Sequence, residues 1–182
     1  MKTFILSALS LVFIIVGTTQ SAFAISAGEK SPHNLTLKDH NGNMQSFDNL
    51  SGDKGLAVFF IRSVDWCPFC QSQLVALNKR VADFENQGYK VAALSYDPVV
   101  SLKRFRDKKS LSFTLLSDPD SEVIKAFHLL NEDVREGSKQ YGTPHPAIVI
   151  IGKDKMIQTF HQEDGYKKRP DLNNVLDTLK SL

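Results

Sequence analysis

Cys67 and Cys70 are the only cysteines in this chain of 182 residues, and they share the segment Trp-Cys-Pro-Phe-Cys at 66–70. The apolar run 56–61 comes shortly before them and predicts a buried strand. A helix that begins at the cysteines would place a thiol where free backbone N–H groups and the helix dipole favour the thiolate. The pattern therefore predicts a thiol–disulfide redox site.

The two cysteines enclose only two residues, so a bond between them closes a very small loop. Such a loop removes little conformational entropy from the unfolded chain, which makes a purely structural disulfide a weak explanation. Two cysteines are also too few for the disulfide framework of a small secreted domain. The spacing favours exchange chemistry.

The N-terminal residues 1–24 have the layout of a signal peptide. Lys2 supplies a positive charge, an apolar stretch covers 4–16, and Ala22 and Ala24 are small residues at the positions that a signal peptidase reads. The apolar stretch is shorter than the roughly 20 residues that span a bilayer. We expect one domain at 25–182, located in the periplasm or secreted, with membrane contact only through this segment; an uncleaved anchor is the alternative.

The composition is that of an ordinary soluble domain, with 42% hydrophobic and 23% charged residues. The chain has 22 basic and 20 acidic residues, a balance that predicts no nucleic-acid partner. The densest basic run is 167–169, and we expect it to be a solvated surface. The sequence gives no indication of a bound cofactor.

Periodicity and turn residues predict alternating strands and helices. An Asn-Gly turn at 41–42 predicts an N-terminal hairpin, and the helix after the cysteines is expected to continue to Gly88. Further helices are expected from Asp97 to about Ser110, from 118 to 127, and from Pro170 onward. Predicted strands cover 35–38, 44–47, 56–62, 89–96, 113–116, 147–151 and 156–161. This order predicts an α/β sandwich with a mixed sheet, and right-handed crossovers place Cys67 at the C-terminal end of a central strand.

The element order and three segments resemble the thioredoxin fold. The segments are 59–74 around the cysteines, Leu-Leu-Ser-Asp-Pro-Asp at 115–120 and Tyr-Gly-Thr-Pro-His-Pro at 141–146. The N-terminal hairpin is more similar to the AhpC/TSA, or peroxiredoxin-like, branch of that superfamily. The resemblance spans about 31–170. It implies a thioredoxin-like three-layer α/β sandwich and a thiol-disulfide oxidoreductase or a peroxiredoxin-type antioxidant enzyme.

The chain departs from the motif Pro-x-x-x-Thr/Ser-x-x-Cys of typical peroxiredoxins, in which the hydroxyl and a later arginine activate the peroxide. Counted from Cys67, the hydroxyl position is Val64 and the proline position is Phe60. Counted from Cys70, these positions hold Cys67 and Ser63. The position of the later arginine holds Pro146.

A proline before a core strand is similar to the cis-proline of thioredoxins, which faces the two cysteines. Pro146 has this position, and Pro144 is the alternative cis residue. The buried acid of thioredoxins is replaced by Ile61. Proton transfer would then need Asp65, Glu163 or water.

We expect Cys67 to be the nucleophile and the more exposed sulfur, and Cys70 to be the resolving thiol. Pro68 would stiffen the turn between them. Arg62 and Asp65 lie close in sequence and would either tune the thiols or pair with each other. The predicted substrate-contacting residues are Trp66, Pro68, Phe69, His145 and Pro146, with core packing as the alternative for Phe69.

Three functions are compatible with the sequence. The first is thiol–disulfide exchange with protein or small-molecule disulfides, and the second is a thiol peroxidase that reduces hydrogen peroxide or organic hydroperoxides. Both would need a redox partner protein. The third is a Cu or Zn carrier that combines the cysteines with His145, although carriers of this fold use Cys-x-x-x-Cys.

Overall fold

The computed structural model describes residues 25–182. The predicted signal peptide at 1–24 lies outside the described residues. The strands of the described part are β1 (Leu37–Asp39), β2 (Met44–Gln45), β3 (Gly55–Phe60), β4 (Tyr89–Ser95), β5 (Thr114–Ser117), β6 (Ala147–Gly152) and β7 (Ile157–Gln162). Its helices are α1 (Phe47–Leu50), α2 (Pro68–Asn78), α3 (Val81–Glu85), α4 (Val99–Lys109), α5 (Glu122–Ala126) and α6 (Leu172–Leu179).

The strands form one mixed sheet in the order β2-β1-β5-β4-β3-β6-β7. β3, β4 and β5 are parallel neighbours, whereas β6 pairs antiparallel with β3 and β7 with β6. β1 joins β5 antiparallel and carries β2 as the second strand of the N-terminal hairpin. The predicted mixed sheet with its hairpin is confirmed.

Helices cover both faces of this sheet. Because successive strand residues point to opposite faces, Ala57 and Phe59 of β3 join one core cluster while Val58 and Phe60 join the other. The first cluster is completed by apolar residues of α2, α3, α4 and α6, and the second by residues of α1 and α5. These three layers match the predicted sandwich.

Two local predictions are wrong. The helix after the cysteines ends at Asn78, and a turn at 79–80 separates it from α3. The Asn78 side chain accepts a hydrogen bond from the Ser112 backbone N–H at 2.8 Å, which ties the end of α2 to the segment after α4. The mostly polar residues 48–54 predict a turn that leads into the buried strand, but the short helix α1 covers the first of them, because its own Phe47 and Leu50 are buried.

No helix within 25–182 is long and apolar enough to cross a membrane.

Candidate redox site

The two cysteines form a disulfide at the junction between the central strand and the first long helix. Their Cα atoms are 5.3 Å apart. Cys67 is the N-cap of α2, and its sulfur accepts a hydrogen bond from the Cys70 backbone N–H at 3.2 Å. Pro68 occupies the first helical position, where a missing N–H costs nothing. The prediction that the helix begins at the cysteines is confirmed.

Both cysteines are buried. Cys67 is 2% exposed and Cys70 is fully buried, so Cys67 is the more exposed of the two, as predicted, but both are covered in this oxidised state. The cause is a segment far along the chain, 166–169, whose residues contact the disulfide and its neighbours.

Arg169 supplies the contact with the sulfurs. Its Nη2 lies 3.3 Å from the Cys70 Sγ and 3.9 Å from the Cys67 Sγ. Its Nε donates to the Gln73 side-chain oxygen at 2.9 Å, and its Nη1 donates to the backbone carbonyls of Lys168 and Tyr166. These oxygen acceptors are all neutral.

The expectation of a solvated basic run at 167–169 is therefore wrong for Arg169. Lys167 and Lys168 are exposed, but Arg169 is half-buried. Burial lowers the pKa of Arg169 to about 10, and the nearby Arg62 cation acts in the same direction. Arg169 remains cationic at neutral pH, and a cation beside a cysteine favours the thiolate once the disulfide is reduced.

Arg62 is the second cation of the site. Its guanidinium carbon lies 4.8 Å from the centre of the Trp66 ring and 4.5 Å from the centre of the Tyr166 ring. Its Nε is buried and has no hydrogen-bond partner among residues 25–182, and burial lowers the pKa of this group. The expected pairing of Arg62 with Asp65 is wrong, because Asp65 accepts hydrogen bonds from Arg104 and Ser101 instead.

We use the name aromatic cover for Trp66, Phe69 and Tyr166, of which Trp66 and Tyr166 lie over Arg62 and Phe69 contacts Tyr166. The Phe69 and Tyr166 rings meet edge to face, with centroids 6.5 Å apart. Phe69 is 42% and Tyr166 is 45% exposed, so Phe69 is a surface residue and not part of the core. The Trp66 indole N–H donates to the Tyr96 hydroxyl at 2.8 Å. The cover thus combines a fixed indole with two rings that face solvent.

A buried carboxylate, Asp97, holds the loop before the cysteines. It accepts hydrogen bonds from the Ser63 hydroxyl, the Val64 backbone N–H and the Ser95 hydroxyl, each at 2.7 Å. The Ser63 oxygen in turn accepts from the Asp65 N–H at 3.0 Å. Burial raises the pKa of Asp97, although these hydrogen bonds act against the rise. Of the proposed proton acceptors, Asp65 is held by Arg104 and Ser101, and Glu163 is exposed.

Sequence patterns alone do not point to five residues of the site, namely Asp97, Tyr96, Gln73, Tyr166 and Arg169. A signal for Asp97 was present, because it follows the C-terminal end of β4, the parallel neighbour of β3, where open α/β sheets collect functional groups. Arg169 has no comparable local signal.

The segment 144–146 enters β6 beside the end of β3. Ala147 pairs with Phe60, and the His145 N–H donates to the Leu129 carbonyl at 2.7 Å. No peptide bond within 25–182 is cis, so the prediction of a cis Pro144 or Pro146 is wrong. The chain runs extended along 129–130 here, and trans is the favoured form of an X–Pro bond.

His145 is half-buried and Pro146 is buried. The hydrogen bonds to the sulfurs within the described chain come from Arg169 and from the Cys70 backbone, and His145 is not among the donors. The roles of both residues in substrate contact stay predictions.

The described residues offer no group of three or more His, Cys, Asp and Glu side chains that could hold a metal ion. A carrier that uses the cysteine pair and His145 therefore has no assembled donor set in this part of the chain.

A helix-capping disulfide at the end of the central strand of a thioredoxin-like fold defines a thiol-dependent redox enzyme. The AhpC/TSA family profile matches residues 27–160, and the chain belongs to that family. It is 30% identical over 156 residues to the peroxiredoxin Bcp of Escherichia coli strain K12, an alignment that covers 86% of this chain and 96% of that protein.

Solved structures agree on the fold. Peroxidoxin BcpB of Mycobacterium tuberculosis superposes with a TM-score of 0.75 at 18% identity, covering 87% of this chain and 98% of that chain. Peroxiredoxin Q of Xanthomonas campestris gives a TM-score of 0.71 at 21% identity, covering 86% and 97% of the respective chains. The protein is thus a peroxiredoxin-like redox protein of the thioredoxin fold.

Proposed function

We propose that this protein is a thiol peroxidase in which Cys67 reacts with a hydroperoxide and Cys70 resolves the product. The observation that carries the proposal is the Arg169 guanidinium, which lies against both sulfurs and has no carboxylate partner in the described part of the chain. The burial of the disulfide supports it further, because a covered sulfur is accessible to a small peroxide more readily than to a folded protein substrate.

The reaction takes place in two steps. The Cys67 thiolate attacks one oxygen of the hydroperoxide, the O–O bond breaks, and the other oxygen leaves and takes a proton to become water or an alcohol. Cys67 is thereby oxidised to a sulfenic acid. The Cys70 thiolate then attacks that sulfur, the S–O bond breaks, water leaves, and the disulfide forms. A partner dithiol supplies the two electrons that reduce the disulfide again.

Cys67 is assigned as the nucleophile from its position at the start of α2. Its sulfur accepts the Cys70 N–H and lies at the positive end of the helix dipole. Arg169 would stabilise the thiolate and the negative charge that develops on the leaving oxygen. Val64 has no hydroxyl for the usual threonine role, and the Ser63 hydroxyl already donates to Asp97.

The same proposal gives the remaining predicted residues a place around the sulfurs. Trp66 and Pro68 adjoin Cys67 in the chain, Phe69 adjoins Cys70, and Pro146 lies beside the strand end that leads to the cysteines. The similarity to peroxiredoxin Bcp supports peroxide as the oxidant. The reducing partner is a thiol compound or a dithiol protein.

Thiol–disulfide exchange with a protein is the second candidate. The exposed rings of Phe69 and Tyr166, next to the disulfide, favour it because such rings supply contact area for a partner. Reduction of the disulfide by a partner would use the same surface, so this observation is compatible with both functions.

Export is also part of the proposal, and it is supported by the charge, apolar stretch and small residues of 1–24. N-terminal sequencing of the protein recovered from a periplasmic or extracellular fraction would test it. The expected first residue is Ile25, and recovery of the intact chain in the cytosol would contradict export.

Trp66 is the only tryptophan and adjoins Cys67, so its fluorescence can report the reaction directly. Reduced protein would be mixed in a stopped-flow instrument with hydrogen peroxide or, separately, with a disulfide-bonded protein. Cys67→Ser serves as the unreactive control, and Cys70→Ser would stop at the sulfenic acid. We expect peroxide to react roughly a hundredfold or more faster than with an unperturbed thiol. Peroxide reacting only at the rate of an ordinary thiol, with a fast response to the disulfide, would show exchange instead.

A further inference from the structure

The charge around the disulfide is larger than one thiolate can balance. The ion pairs among residues 25–182 are Arg80–Asp83, Lys103–Asp107, Arg104–Asp65, Lys155–Asp48 and Lys180–Asp177. Arg62 and Arg169 belong to none of them, although both are half-buried. A single thiolate formed at the sulfurs that Arg169 contacts would balance one of these two cations and leave Arg62 without an anion.

Arg62 contacts two aromatic rings, and its guanidinium has no acceptor within the described chain. Trp66 and Tyr166 lie over its guanidinium, so further binding must come from the plane of the group. Its buried Nε has no hydrogen-bond acceptor within the described chain. Asp65 is the acid nearest to Arg62 in the sequence, and its carboxylate accepts hydrogen bonds from Arg104 and Ser101. A planar guanidinium with free in-plane donors matches the two oxygens of a carboxylate.

We propose that Arg62 binds a carboxylate group of the substrate, so that the protein prefers organic hydroperoxides that carry a negative charge. This inference rests on the proposed peroxidase function and names its substrate class. The aromatic cover would contact the apolar part of such a substrate, between its carboxylate and its hydroperoxide group. Phe69 and Tyr166 expose their rings beside Arg62 and the disulfide. The hydroperoxide end reaches Cys67, where the O–O bond breaks as above, and the carboxylate stays bound to Arg62 unchanged.

A matched pair of substrates tests the inference. Cumene hydroperoxide bearing a para carboxylate and the methyl ester of the same compound have the same reacting group and differ in charge. The rate constant of each with the reduced protein would be followed by Trp66 fluorescence. We expect the carboxylate to react about tenfold faster than the ester, the effect of one charge-assisted hydrogen-bond pair.

Three variants assign the preference to Arg62. Arg62→Gln should remove the preference by bringing the ratio of the carboxylate rate to the ester rate to about one, whatever the change in the two rates together. Arg62→Lys should keep part of it, because it retains the charge without the paired donors. Arg135→Gln removes an arginine from an exposed loop and should keep the full preference. Raising the ionic strength should reduce the preference of the unmodified protein but not that of Arg62→Gln.

The outcomes separate this inference from the proposed function. Equal rates for the carboxylate and the ester in the unmodified protein would overturn the anionic substrate class while leaving the peroxidase intact. A preference that survives in Arg62→Gln would overturn the role of Arg62. A protein that reduces neither these compounds nor hydrogen peroxide would overturn the peroxidase itself, and the substrate class with it.

Discussion

The chemical environment of the two cysteines depends on Arg169. The sequence places it 102 residues after Cys67 in a run of three basic residues, where nothing local distinguishes it from its neighbours. The fold brings it back over the disulfide, where its oxygen acceptors among the described residues are neutral. The chemistry of the site therefore depends on a contact that no local motif contains.

Replacing Arg169 should raise the pKa of the Cys67 thiol in the reduced protein. Removal of a neighbouring cation destabilises the thiolate. The rate at which Arg169→Gln reacts with peroxide at neutral pH should therefore fall about tenfold or more. Thiolate absorbance in the ultraviolet, followed against pH, measures the shift. Lys168→Gln is the matched control because Lys168 is exposed, and Arg169→Lys should recover part of the rate. An unchanged titration in Arg169→Gln would contradict this role.

Replacing Asp97 should loosen the loop that carries the cysteines. An amide cannot accept all the hydrogen bonds that the carboxylate accepts, and Ser63 must then change its own bonding. We expect Asp97→Asn to lower the free energy of unfolding by about 1–3 kcal/mol. Urea unfolding measures the loss, and Asp120→Asn, at an exposed acid, should have little effect.

The same carboxyl group gives the stability a pH dependence of known sign. Burial raises the pKa of Asp97 in the folded state, so the folded state holds this proton more tightly than the unfolded chain. The stabilisation from this proton is fully present below the pKa of the unfolded chain, about 3.9. It is lost as the pH rises through the pKa of Asp97 in the folded state. Asp97→Asn should lack this component. Unfolding curves measured from pH 4 upward on both proteins would show it, and parallel pH profiles would exclude it.

At the level of elements, apolar patterns in the sequence predicted most strands and helices. The continuous apolar run of β3, which is buried on both faces, and the spacing of Val175, Leu176 and Leu179 in α6 are examples. The break between α2 and α3 was missed, since Val81 and Phe84 continue the helical pattern while the chain turns at 79–80. The burial of the redox site was missed for a related reason: it depends on how the segment before α6 packs against α2.

The N-cap of α6 offers a test at this level. The Asp171 carboxylate accepts the Asn173 N–H at 2.8 Å and follows Arg169 by two residues. Asp171→Ala should lower the free energy of unfolding by about 1 kcal/mol, whereas Asp171→Asn should keep most of it because asparagine also caps helices. Chemical denaturation of the three proteins measures the difference. Equal losses in both variants would point to the charge and not to the cap.

For the whole molecule, β3 is the element on which both helical layers depend. It lies between β4 and β6 in the sheet, and all six of its residues are buried. Its position was predictable from the apolar run 56–61. The close approach of its first residue to β6 was not, because that contact joins Gly55 to Ile151 across the sheet.

Gly55→Ala should therefore destabilise the entire fold. A Cβ at this position would lie 2.0 Å from the Ile151 carbonyl oxygen, and the φ of +153° is unfavourable for a residue with a side chain. We expect a loss of about 3 kcal/mol in the free energy of unfolding. Gly137→Ala is the control, since it also has a positive φ but has open space around it. Thermal unfolding of the two variants should differ clearly, and equal midpoints would contradict the close approach.

The short separation of the two cysteines also affects how easily peroxide inactivates the protein. A sulfenic acid either condenses with a thiol or is oxidised again by a second peroxide to a sulfinic acid, which most thiol systems cannot reverse. Here the second thiol is one helical turn away, with the two Cα atoms 5.3 Å apart, so condensation requires no rearrangement of the chain. If the proposed peroxidase function holds, this geometry favours the recoverable product and makes the protein resistant to inactivation at high peroxide concentration.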